Sequence, residues 1–227
     1  MEMSMDQKQL DNTLRFERKY IIEKGYSYIF SDFLKKNFFK KAYNPRYVNS
    51  IYFDNFTHDA FAENLSGISI RKKTRLRWYD GKKMNLNLET KYKNNMMNKK
   101  KILNKGVFNN FFKLTESLKK NFLILGGEVS QPMEPVLKIR YLRHYFISKC
   151  ENYRATVDTE ITVSDIYGNF NFGKKIHLKE DVMEYKYPSN KDAKFRKEIF
   201  LKKNPFRLQK NSKYVSGYLF LKEAGIK

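Results

Sequence analysis

The residues of this chain that could do chemistry recur at alternate positions. Arg15, Glu17 and Lys19 share one side of the segment from Leu14 to Ile22, and Phe16, Arg18 and Tyr20 share the other. The same step of two joins Lys73, Arg75 and Arg77; Glu89, Lys91 and Lys93; Arg154, Thr156 and Asp158; and Glu184 with Lys186. A period of two is that of a β-strand, so each set forms one strand face. One strand of this kind is explained by charges that pair across a solvated sheet. Five strands with the same pattern point instead to charged faces that converge, with the apolar faces covered by helices. Such an interior takes a charged ligand out of water and replaces its hydration with fixed donors. Bases outnumber acids on these faces, so the ligand is anionic. The planar fork of Arg binds phosphate oxygens in pairs, whereas Lys serves as a point charge. Glu17, Glu89 and Glu184 would repel phosphate by themselves. A hard divalent cation, Mg²⁺ or Mn²⁺, held by carboxylates and bridging phosphate oxygens resolves that conflict.

No Ser/His/Asp, metal-thiolate or P-loop pattern competes with this reading. His58, His144 and His177 are isolated and read as structural, and the lone thiol, Cys150, reads as a reduced core residue.

The elements that must position these faces are legible by period. Strands are expected over 14–22, 46–53, 68–79, 84–93, 136–146, 153–163, 169–178 and 181–187, with Asp80-Gly81 as a hairpin turn. Eight strands suit a closed antiparallel barrel. Helices are expected over 28–39 with Ile29, Phe33 and Leu34 inward, after a Thr57 cap with Phe61 and Leu65, over 107–122, and after a Ser212 cap. The run Lys99-Lys100-Lys101 reads as a solvated loop, and Trp78 as packing. The whole is an α+β chain: an eight-stranded antiparallel β-barrel with helices packed around the outside and a C-terminal helix.

Composition agrees. The chain has 227 residues, 46 Lys or Arg against 24 Asp or Glu, a formal charge of +22, and 19 Phe with 16 Tyr. That aromatic content supplies a core, and the charge attracts polyanions, although an abundance of Lys, Asn, Ile, Phe and Tyr also reflects codon supply. One domain over 1–227 is expected, with 1–12 as a flexible start. No apolar leader or membrane-length run is visible, so a cytoplasmic protein is expected, with association to an anionic membrane surface left open.

Seven segments occur in the order found in VTC domains, which the chain resembles from about Leu14 to its final helix. They are Arg15-Phe16-Glu17-Arg18-Lys19-Tyr20, Ser50-Ile51-Tyr52-Phe53-Asp54, Arg75-Leu76-Arg77-Trp78-Tyr79, Leu88-Glu89-Thr90-Lys91, Arg154-Ala155-Thr156-Val157-Asp158, Glu184-Tyr185-Lys186 and Ser212-Lys213-Tyr214. VTC domains are polyphosphate polymerase domains of the triphosphate tunnel superfamily, which includes the CYTH proteins. The resemblance implies a tunnel that binds triphosphate with Mn²⁺ or Mg²⁺. It implies Arg75, Arg77, Lys91 and Glu184 as catalytic residues. Lys19, Tyr52, Arg154, Lys186 and Lys213 would bind substrate, joined by Arg140 or Arg143, between which the sequence does not choose. Glu184 would be the principal metal ligand, with Glu17 and Glu89 as helpers. Arg15 stands where CYTH proteins have the first Glu of Glu-x-Glu-x-Lys, a departure that favours a longer polyanion. The implied partners are a nucleoside triphosphate, ATP first, and inorganic polyphosphate. Rival readings are an inorganic tripolyphosphatase or nucleoside triphosphatase, and a non-catalytic polyphosphate- or RNA-binding module. Nucleic acid is the weakest of these.

Overall fold

The computed structural model describes residues 15–81, 86–95, 97–108, 133–167, 171–198 and 203–227. The expected flexible start lies outside these residues. Ten strands are described: β1 (Arg15–Glu23), β2 (Phe39–Asp54), β3 (Ile70–Tyr79), β4 (Leu86–Asn94), β5 (Met97–Phe108), β6 (Glu134–Ser148), β7 (Arg154–Tyr167), β8 (Asn171–Phe172), β9 (Ile176–His177) and β10 (Glu180–Pro188). The helices are α1 (Ser27–Lys36), α2 (Asp59–Ser66), α3 (Asp192–Lys197) and α4 (Lys213–Glu223), with one 3₁₀ turn at Ser189–Lys191.

The sheet runs β10-β1-β5-β4-β3-β2-β6-β7, and β10 also pairs with β7, which closes eight antiparallel strands into a barrel. The number eight was expected, but its members differ. The segment 169–178 supplies only the short β8 and β9, which hang on β7 outside the ring. The missing member is β5, which contains the lysine run read as a loop and pairs with β4 from Asn94↔Met97 to Leu86↔Phe108. The helix expected over 107–122 begins inside β5, and its remainder lies outside the described residues.

Helices cover the apolar strand faces. α1 buries Phe30 and Leu34, with Phe33 partly buried, against Tyr20, Tyr185 and Phe39. Ile29, expected inward, is on the rim and α1 ends at Lys36, because Phe38 takes a left-handed φ of 64° and turns the chain into β2. The cap of α2 is not Thr57. The Asp54 carboxylate accepts hydrogen bonds from the Ala60 and Phe61 amides at 3.0 and 2.9 Å, and the Tyr214 hydroxyl donates to it at 2.6 Å. One buried side chain thereby ties β2, α2 and α4 together. Phe61 packs inward against Tyr218, whereas Leu65, expected in the core, is exposed. Ser212 caps α4, its hydroxyl accepting from the Val215 amide.

α4 lies against Ile139 of β6 and Val163 of β7. At Gly217 an added Cβ would fall 2.7 Å from the Ile139 Cδ1 atom, so only glycine permits this approach. Ile139 shares its strand face with Tyr141 and Arg143, which point into the barrel. The C-terminal helix therefore closes one end of the barrel. Trp78 is core as expected, packed with Ile51, Leu76 and Leu88 on the outer side. Cys150 is not: it sits exposed in the β6–β7 turn beside the Ser148 hydroxyl, because that turn has no layer over it. Among the described residues no helix is long and apolar enough to cross a membrane.

Candidate active site in the barrel lumen

Strand alternation carries one face of every barrel strand into a cavity of about 650 Å³. Among the described residues, twelve Lys or Arg side chains line it against three Glu, 17, 151 and 184. Repulsion on this scale is held in check by carboxylates placed between the cations, and their pairings define the site.

On β3, Arg75 donates twice to one oxygen of Glu89, from Nε at 3.0 Å and Nη2 at 2.9 Å, and also reaches the Tyr52 hydroxyl at 3.3 Å. Arg77, two residues on, is held loosely. Its contacts are the Ser50 hydroxyl at 3.4 Å, the Tyr141 hydroxyl at 3.3 Å and Glu89 at 3.7 Å. Glu89 is also 3.6 Å from Lys100 of β5. Burial resists its ionisation, but Arg77, Arg75 and Lys100 outweigh burial and hold its pKa far below the usual carboxylate range. Across the barrel, Arg143 grips both oxygens of Asp158 at 2.6 and 2.8 Å, and Lys213 of α4 donates to the same carboxylate at 2.7 Å. Lys19 donates to the Asn211 carbonyl at 2.8 Å and Lys73 to the Ser212 hydroxyl at 3.0 Å, so the segment before α4 is tied to the lumen.

Glu17 and Glu184 come from the paired strands β1 and β10 and lie within hydrogen-bonding reach of each other. Lys91 bonds Glu17, Arg15 is 3.5 Å away, and Lys186 is 3.7 Å from Glu184. Burial opposes charge on Glu17, yet Lys91 and Lys186 hold its pKa well below the usual range. The Glu184 Oε1 atom is buried with no hydrogen-bond partner. Two adjacent carboxylates, one with a buried oxygen that no hydrogen bond satisfies, form a donor set that suits a hard divalent cation. Glu89 does not suit that role, because Arg75, Arg77 and Lys100 saturate it. Among the described residues no group of three or more His, Cys, Asp or Glu assembles, so the protein would supply two carboxylates and leave the other positions to phosphate and water.

Burial also acts on the lysines. Lys186 is pushed down to about 7 by burial, with Glu184 opposing the shift and Arg143 adding to it. Lys73 is driven well below the ordinary lysine value by burial and by Lys19, Lys91, Arg71 and Arg75. Negative charge brought into the lumen would oppose both shifts.

Of the residues singled out from sequence, Arg75, Arg77, Lys91, Glu184, Glu17, Lys19, Tyr52, Arg143, Arg154, Lys186 and Lys213 all line the cavity. Arg140 does not. Arg140 and Arg143 lie three residues apart and so on opposite faces of β6, and Arg140 stacks at 3.6 Å over Tyr47 on the outer side. The choice left open by the sequence falls to Arg143. Glu89 lies behind the wall with its cations. Lys73 and Arg15, seen as members of charged faces, join the lining, as do Lys100, Arg46, Tyr79, Tyr141 and Tyr145, which sequence reasoning did not assign. Tyr141 and Tyr145 sit at the period-two offsets from Arg143, and that spacing was the available signal. None of the three histidines lines the cavity.

Comparison with known proteins agrees with this architecture. Solved structures similar in fold include adenylate cyclase candidates from Vibrio parahaemolyticus (TM-score 0.52, 10% identity, 88% of this chain and 95% of that one) and Bacillus halodurans (0.53, 13%, 89% and 95%). A Hippeastrum protein of the same provisional class, reported to have a dominant triphosphatase activity, matches with a TM-score of 0.52 and 12% identity over 93% of this chain and 95% of its own. No curated protein sequence matches the chain. The family model of the VTC domain matches residues 14–222, every barrel strand and nearly all of α4, and the chain belongs to that family.

Proposed function

We propose that the chain catalyses metal-dependent phosphoryl transfer in the barrel lumen and builds polyphosphate from the γ-phosphate of a nucleoside triphosphate, with ATP as the first candidate. One observation carries this reading: among the described residues twelve cations face the barrel cavity, where the paired strands β1 and β10 leave Glu17 and Glu184 side by side, placed for a metal. Desolvated cations of fixed position are worth most where negative charge develops, which in this reaction is on the transferring group and the leaving phosphate.

The terminal oxygen of a polyphosphate chain attacks the γ-phosphorus. That bond forms as the bond from γ-phosphorus to the bridging oxygen breaks, and the nucleoside diphosphate leaves with the electron pair. The acceptor is already an anion, so no general base or nucleophilic side chain is required. Arg77, with donor capacity left over by its long contacts, neutralises the transferring group, and Arg75 is oriented beside it by Glu89. Lys91, Lys186, Arg143 and Arg154 hold the flanking phosphates, and Lys19 and Lys213 hold the end nearer α4. Glu17 and Glu184 would hold the Mg²⁺ or Mn²⁺, which when bound supplies positive charge to the phosphate oxygens. With ATP as donor the matching compartment is the cytoplasm.

Water in place of the polyphosphate end turns the same tunnel into a triphosphatase, the activity reported for the Hippeastrum neighbour. Incubation with ATP and Mn²⁺ followed by gel electrophoresis separates the two. A ladder of long phosphate chains supports the polymerase, and free phosphate with no chains refutes it in favour of hydrolysis.

A further inference from the structure

The two ends of the lumen differ in chemistry. One is closed by Ser212, Lys213 and α4. At the other, Tyr43, Arg46, Tyr145 and Asn152 line the cavity, and Tyr43 is 53% exposed. We propose that this open end carries a nucleobase-stacking subsite that takes the base of a nucleoside triphosphate whose phosphates run inward. The proposal rests on the reading that the lumen binds triphosphate, and it names what else on the substrate is recognised.

The rings at this end are arranged, not scattered. The Arg46 guanidinium lies 3.9 Å over the Tyr79 ring and 5.2 Å from that of Tyr145, and its Nε donates to the Tyr145 hydroxyl at 2.9 Å. Tyr43 meets Tyr145 edge-on, with centroids 5.8 Å apart and planes at 85°. Register shifts in the β2–β6 ladder fall on both sides of Tyr43, and such bulges re-aim a side chain. Strands in an undisturbed ladder would not set this ring at the mouth.

An aromatic face carries the negative side of the ring quadrupole and repels an anion, so although a tyrosine hydroxyl can donate to phosphate, the exposed ring face of Tyr43 offers a polyanion nothing and suits another group. A flat, uncharged π-system joined to a polyphosphate gains from these rings: it stacks on Tyr43 while Arg46, held flat by Tyr79 and Tyr145, supplies a planar cation beside it. The spacing fits. Tyr79 lies two and four residues beyond Arg77 and Arg75 on the same face of β3, ~7 and ~14 Å at the rise of a strand. A base at the mouth therefore leads its phosphates toward the arginines.

The test is metal-free binding of ATP and of inorganic tripolyphosphate, measured by calorimetry with a chelator present. The wild-type protein should bind ATP about tenfold more tightly than tripolyphosphate, the size expected of one stacked base. Tyr43→Ala should abolish the preference and leave tripolyphosphate affinity unchanged, and Tyr43→Phe should keep the preference. Equal affinities in the wild type, or equal weakening of both ligands in Tyr43→Ala, overturn the subsite while leaving the phosphate site standing. Absence of tripolyphosphate binding overturns both. Short single-stranded RNA that depends on Tyr43 when ATP does not would also overturn it, assigning the rings to nucleic acid.

Discussion

Arg77 is the side chain on which removal should separate chemistry from folding most cleanly. Its three contacts are 3.3, 3.4 and 3.7 Å long, at or beyond the limit of a good hydrogen bond. Little stability rests on them. Removing the guanidinium loses a weak attraction to Glu89, which stays paired with Arg75 and Lys100, and relieves repulsion from Arg75. These opposed effects leave a net change of about 1 kcal/mol or less, no more than the central tendency for single substitutions. Catalysis loses more. Charge-assisted bonds to a phosphoryl group contribute about 1.5–3 kcal/mol each, so two of them amount to about 3–6 kcal/mol, or roughly 10²- to 10⁴-fold in turnover. Arg77→Lys keeps the charge without the fork and should fall between. Single-turnover transfer from γ-labelled ATP with Mn²⁺, run beside thermal unfolding of the same samples, reads both quantities. A folded Arg77→Ala protein of undiminished turnover would refute the role. So would an activity loss no larger than the fraction of protein unfolded.

Gly217→Ala forces a Cβ to 2.7 Å from Ile139, and overpacking should cost about 1–3 kcal/mol, more than the ~1 kcal/mol of helix propensity gained; Tm should fall by several degrees, and an unchanged or higher Tm contradicts the close approach. Asp54→Ala strips the α2 amides and the Tyr214 hydroxyl of their acceptor and should destabilise by about 2–4 kcal/mol in denaturant unfolding, with Asp54→Asn milder; a change below about 0.5 kcal/mol would rule out the hub. Lys73 has a folded pKa well below the unfolded lysine value, so the unfolded chain binds the extra proton between the two values and the charge destabilises the fold fully only below the folded pKa. Lys73→Met should therefore raise stability near neutral pH, with the gain shrinking as pH climbs toward 10.5; a gain that grows with pH has the wrong sign.

The sequence carried the barrel wherever charge and apolar residues alternated cleanly. β1, β3 and β10 read directly, because Arg15/Glu17/Lys19, Lys73/Arg75/Arg77 and Glu184/Lys186 have no rival explanation at helical spacing. β5 hid because Lys99, Lys100 and Lys101 are consecutive: a run of one charge erases the period-two signal, although Lys100 faces the lumen. Arg140 and Arg143, three residues apart, fall on opposite faces of β6, and the sequence did not choose between them because both faces carry basic side chains, Lys138, Arg140 and His144 on one and Arg143 on the other. Glu89 illustrates a different limit. Its strand face was evident, but whether a carboxylate meets a metal or a guanidinium depends on the neighbouring strands, and β3 and β5 place three cations around it. Asp54 stood in a motif noted for Tyr52, and its capping role needed the long-range contact with Tyr214.

The most direct measurement is a crystal structure with a non-hydrolysable ATP analogue and Mn²⁺, with the metal located by anomalous scattering. The expected result places the phosphates in the lumen between Arg75, Arg77, Arg143 and Lys186, with Mn²⁺ against Glu17 and Glu184. Phosphates bound on the outer surface, or a metal seated on Glu89 or away from the barrel, would contradict it.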